Sequence, residues 1–196
     1  MALSEDRVRD VVRRVVEGMY PAGGEATGSS APAQAGGPDP SAERIAVAIG
    51  ADHGGFALKQ VIARHLADAG YAVHDCGTSS AEAVDYPDYA HAVARLVADG
   101  TCRWGIAIDG AGIGSCMVAN KVPGVRAAAC HDVSSARNSR EHNHANVLTL
   151  GARFVGEGLA LEIVDAWLAT PWGPGRHAAR VAKIVEYERR YARPGA

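Results

Sequence analysis

Hydrophobic positions recur along the chain with two different periods. Near the amino terminus Val8, Val11, Val12, Val15, Val16 and Met19 fall at helical spacing, and Arg7, Arg9, Asp10, Arg13, Arg14 and Glu17 fill the opposite face. Ser4 can cap this helix, and Gly18, Pro21 and Gly23 stop it. From residue 44 the pattern changes to short apolar runs alternating with amphipathic ones. RIAVAIG (44–50), YAVHDCG (71–77), WGIAID (104–109), VRAAAC (125–130) and NVLTLG (146–151) read as strands. Residues 55–70, 88–100, 115–121, 133–142, 159–170 and 178–190 read as helices. This alternation predicts an α/β domain with a parallel sheet of five strands covered on both faces, and ligands beyond the carboxyl ends of the strands.

Between helix and domain lies PAGGEATGSSAPAQAGGPDPSAE, residues 21–43, which has no large apolar side chain and cannot build a core. As a flexible tether it would span roughly 25–30 Å. The expected organisation is an amphipathic helix over 1–20, a linker over 21–43 and a folded domain over 44–196. A short helix with one apolar stripe either docks on its own chain or lays that stripe on another protein. It has no continuous apolar stretch for a secretory signal, and its acidic residues argue against a mitochondrial presequence.

Composition narrows the class further. The 20 basic and 22 acidic side chains give a formal net charge of −2, so no global field favours nucleic acid or an anionic membrane, and any anion site must be local. No apolar run approaches the roughly 18 residues of a membrane span. Cys76, Cys102, Cys116 and Cys130 form no C-x-x-C pair and read as reduced, mostly buried thiols of a cytoplasmic protein.

Candidate chemistry gathers at the loops. Gly110, Gly112 and Gly114 follow the third strand and free main-chain N–H groups to face one anion, a phosphate or a reaction oxyanion. The spacing G-x-G-x-G differs from the dinucleotide fingerprint, and the loop follows the third strand rather than the first. Arg176 and Arg180 stand one helical turn apart and can converge on a phosphate. His142 and His144 form an H-x-H pair without a clear third metal ligand, so no metal and no cofactor are expected.

GADHGGFALKQ, DYPDYA, GAGIGSCMVANKVPGVRAA, REHNHANVLTLGAR and GRHAARV occur in this order. Over roughly residues 45–187 the chain resembles the type B ribose-5-phosphate isomerase and galactose-6-phosphate isomerase family. The resemblance implies a Rossmann-like three-layer α/β/α sandwich and a metal-independent aldose–ketose isomerase working as a homodimer, or a dimer of dimers, with sites at the subunit interface. It implies that Asp52 and His53 orient the sugar, that Tyr86 lines the pocket, and that His142 helps open the furanose ring with Asn143 beside it. Arg153, Arg176 and Arg180 would bind phosphate, and Gly110, Ala111, Gly112 and Gly114 would form the enediolate's anion hole. Family members carry a cysteine base at the position of Asp109, or a glutamate base at that of Ser115. With neither present, Asp109 is the expected base, its pKa raised by burial, and Cys116 the second candidate. Ribose 5-phosphate is the expected substrate; the alternatives are a hexose 6-phosphate or an inactive sugar-phosphate-binding scaffold. The amino-terminal helix on its tether resembles the encapsulation peptides of bacterial microcompartment enzymes, which implies a shell-protein partner for residues 4–20 and a location in the compartment lumen.

Overall fold

The structure, a computed structural model, describes residues 44–192. The expected amino-terminal helix and tether lie outside the described residues. Five strands form one parallel sheet: β1 (Ala46–Ala51), β2 (Ala72–Asp75), β3 (Trp104–Asp109), β4 (Ala127–Ala129) and β5 (Val147–Gly151), in the spatial order β2-β1-β3-β5-β4. The helices are α1 (Phe56–Asp68), α2 (Tyr86–Ala98), α3 (Ile113–Ala119), α4 (Val133–Glu141), α5 (Glu157–Ala169) and α6 (Ala178–Tyr191), with a 3-10 turn at Gly175–His177. The three-layer sandwich expected from the sequence is therefore the architecture observed.

β1, β3 and β5 are apolar nearly throughout because both faces of a parallel sheet are covered. On one face Leu58, Ile62 and Leu66 of α1, Ala136 of α4, and Ile163, Val164 and Trp167 of α5 pack against Ile49, Ile106 and Leu148. On the other, Val93, Ala94 and Val97 of α2 and Ala119 of α3 cover Ala48 and Val147. All four cysteines are free thiols, Cys102 and Cys130 buried and Cys76 and Cys116 half-buried, and burial pushes Cys76 and Cys130 up to about 11. Among the described residues no helix is long and apolar enough to cross a membrane.

The strand order has one consequence for function. β1 connects outward to β2, whereas β3 lies on its other side, so the chain changes direction between β1 and β3. The connections leaving these two strands pass to opposite faces of the sheet, and a switch point of this kind forms a crevice at the carboxyl ends.

Candidate active site

Asp52 and the glycine loop meet in that crevice. The Asp52 N–H donates to the Ile108 carbonyl at 3.2 Å, which ties the end of β1 to β3. Asp52 is 8% exposed. Its Oδ1 accepts the Gly55 N–H at 2.9 Å, and its Oδ2 has no partner among the described residues. A Cβ added at Gly54 would stand 3.3 Å from Asp52 Oδ1 and 3.8 Å from the Gly110 nitrogen, so the two loops nearly touch. His53 is exposed beside them, with Nδ1 3.2 Å from both the main-chain N and O of Val84. The Tyr86 ring lies against Gly114, where a Cβ would fall 2.6 Å from it; only glycine permits this approach. Arg153 follows β5 and flanks Gly110, whose carbonyl accepts the Arg153 N–H at 3.1 Å.

The loop owes its shape to Asp109. One carboxylate oxygen accepts the Ala111 N–H at 2.7 Å and also that of Gly112, while the other accepts Ser115 N–H at 2.9 Å and Ser115 Oγ–H at 2.6 Å. Gly112 turns at φ +76°, a conformation that favours glycine, and Thr149 Oγ donates to its carbonyl at 2.7 Å. Two expectations are corrected here. Burial does push the Asp109 carboxyl up, but the hydrogen bonds from Ser115, Gly112 and Ala111 outweigh it and hold its pKa below the ordinary value. Asp109 is thus a saturated carboxylate anchoring the loop, a poor proton acceptor. The amides of Ala111 and Gly112 are also turned inward upon it, which leaves Gly110, Ile113 and Gly114 as the loop N–H groups without an acceptor among the described residues. Cys116 faces β4, its Sγ donating to the Ala127 carbonyl at 3.4 Å.

Asp109→Asn is expected to orphan at least one buried donor and to cost about 1–3 kcal/mol of stability at neutral pH. The native carboxyl has a lowered pKa when folded, so its contribution is present above the unfolded pKa and fades as pH falls through the folded one. Denaturant titrations should therefore show a gap between native and variant that narrows in acid.

His142, Asn143, Arg176 and Arg180 are elsewhere, away from the carboxyl ends where the strand pattern alone would put a ligand. α4 leaves the carboxyl end of β4 and runs back, so its last turn arrives where β5 begins. The length of β5 alone separates the two ends by roughly 15 Å. There His142 caps α4, receives the Asn138 amide at 2.9 Å and stacks on His177 at 4.1 Å. Asn143 contacts Asn138 at 3.3 Å. Arg176 Nε lies 3.5 Å from His177 Nε2, and partial desolvation, then His142, Arg176 and Arg180, hold the His177 pKa below its ordinary value. The two halves of the expected site therefore lie at opposite ends of one sheet.

One support was not anticipated. Lys59 of α1 is fully buried, with Nζ 2.5 Å from both Asp75 oxygens, and Asp75 Oδ1 accepts the Gly77 N–H at 2.8 Å. The pair braces the start of the 76–85 loop, which carries Val84 to His53. No group of three or more His, Cys, Asp or Glu among the described residues could hold a metal ion.

Comparison with known proteins gives the family of the chain. The model of the Ribose/Galactose Isomerase family matches residues 47–184. Ribose-5-phosphate isomerase B of Escherichia coli strain K12 is 49% identical over 144 residues, 74% of this chain and 97% of that protein. The D-erythrulose-4-phosphate isomerase of Pectobacterium atrosepticum is 44% identical over 145 residues, 74% of this chain and 95% of that one. The solved structure of Clostridium thermocellum ribose-5-phosphate isomerase B superposes with a TM-score of 0.75 at 53% identity, covering 76% of this chain and all of the other.

Proposed function

Because this chain belongs to the Ribose/Galactose Isomerase family, we propose that it interconverts the aldose and ketose forms of a sugar phosphate, with ribose 5-phosphate and ribulose 5-phosphate as the first pair. Such an isomerisation removes a proton from C2 of the open-chain aldose, passes through an enediolate and returns a proton to C1. It needs a base beside the two carbons and donors aimed at the developing oxyanion. The observation that carries the reading is the crevice between β1 and β3, where Asp52, one of whose oxygens has no partner among the described residues, lies beside the loop that begins at Gly110.

In this reading Asp52 Oδ2 takes the C2 proton. Asp109 is spent on the loop and Cys116 on β4. The N–H groups of Gly110, Ile113 and Gly114 receive the oxyanion, His53 and Tyr86 flank the sugar, and Arg153 waits at the crevice mouth. His142, with Asn143, opens the furanose ring, and Arg176 and Arg180 hold the phosphate. Their place at the other end of the sheet means that a second copy of the chain must supply them, in an isologous dimer with two shared sites.

Incubating the purified protein in heavy water with a panel of pentose, tetrose and hexose phosphates tests the function. Deuterium should enter the carbon next to the carbonyl for at least one of them, and absence of exchange with every sugar phosphate would leave only a binding role.

We assign residues 4–20 to docking on a microcompartment shell protein, with 21–43 as tether; the support is the valine stripe and a linker without large apolar side chains. Deleting residues 1–43 should leave kcat/KM within about twofold, because every group assigned to the reaction lies in the folded domain, and should abolish co-purification with shells. A truncated protein that still enters shells removes the assignment.

A further inference from the structure

At the amino end of the sheet, away from Asp52 and the glycine loop, a cavity of about 560 Å³ lies between the strand starts and the segment after α5. Its size is that of a site for a small organic ligand. Arg103, Arg126 and Arg140 line it, and no carboxylate does among the described residues. These guanidiniums are held in place. Arg126 Nε donates to the His144 carbonyl at 2.8 Å, and Arg140 donates to the Ala145 carbonyl at 2.5 Å while lying 3.9 Å over the Trp104 ring. Arg103 sits 5.0 Å from the same ring and is exposed. Burial, and then Arg126, Arg140 and Arg103, depress His144 to about 4, so its imidazole stays neutral and adds no charge at physiological pH. His144 stacks on Trp172 at 4.3 Å, and these rings with Trp104 give the cavity flat apolar walls.

Positive heads over aromatic walls, with no lining acid, suit one kind of ligand. We propose that this cavity binds a phosphate ester carrying a planar group, the phosphate meeting Arg103 and Arg126 and the planar group lying against the His144–Trp172 stack. The Gly173 N–H donates to the Glu141 carbonyl at 3.0 Å, next to His142, and Arg176 lies three residues beyond Gly173. A ligand here would brace the strap that carries the His142 and Arg176 cluster, so it is also a candidate effector site. The binding claim stands apart from the isomerase reading, because none of the cavity-lining residues belongs to the catalytic assignment.

Calorimetric titration of the full-length protein with phenyl phosphate, with phenol as the uncharged control, tests it. Saturable binding of phenyl phosphate but not phenol is expected, with Kd on the order of 1 mM or below. Arg103→Glu, a surface change, should weaken it at least about tenfold by putting a carboxylate at the mouth, and Arg103→Gln should weaken it less. Arg176→Ala should leave it unchanged. No saturable binding, or equal binding in Arg103→Glu, overturns the proposal. Loss of binding in Arg176→Ala also overturns it, since the ester would then occupy the sugar-phosphate site.

Discussion

Asp52→Asn should lower kcat for ribose 5-phosphate by roughly 10²–10⁴-fold, the usual worth of a positioned general base. The amide is nearly isosteric and its oxygen can still accept the Gly55 N–H, so the loop and the fold should persist. KM should change little, because what is removed is an interaction with a proton in flight and not with the bound sugar. Deuterium exchange at C2 should fall in parallel with turnover. Exchange at the native rate in Asp52→Asn would take the carboxylate out of the proton-transfer role. Loss of exchange in Asp109→Asn with its loop intact would give that role back to Asp109.

His142→Gln should divide two substrates that the native protein is expected to turn over. Ribose 5-phosphate rests mainly as a furanose and must open before its C2 proton can be removed. D-Erythrulose 4-phosphate and its aldose partner have the closing oxygen esterified or missing and stay acyclic. If His142 acts in ring opening, its loss should reduce kcat/KM for ribose 5-phosphate by at least about 10²-fold and that for the tetrose phosphate by no more than about threefold. Equal losses on both would assign His142 to binding or to the proton transfer itself.

Much of this molecule was legible in the sequence because its elements advertise themselves. WGIAID and NVLTLG are continuous apolar runs, as strands buried on both faces must be, and the observed β3 and β5 fall within one residue of them. Asp109 was misread because burial was weighed and donors were not. An aspartate opening a D-G-x-G turn can accept the amides two and three residues on, and a serine at the first turn of the following helix completes the set. That signal is present in DGAGIGS. The placement of His142 was misread for a topological reason: proximity to the start of β5 in sequence means the amino end of the sheet, because α4 has to return there before a parallel strand can begin. The Lys59–Asp75 pair gave no sequence signal, since a lysine on an amphipathic helix normally reaches water. In the proposed reading Asp52 and His142 meet only across two copies, a meeting that the sequence of a single chain does not spell out.

That meeting is open to a mixing experiment. Asp52→Asn and His142→Gln dimers, each nearly inactive on ribose 5-phosphate, are unfolded together and refolded at equal concentration. Half of the resulting dimers carry one of each chain, and each of these contains one site with both native groups. Activity should return to about a quarter of the native value. A mixture that stays as inactive as its components would contradict the shared site, and with it the account of how this chain catalyses isomerisation.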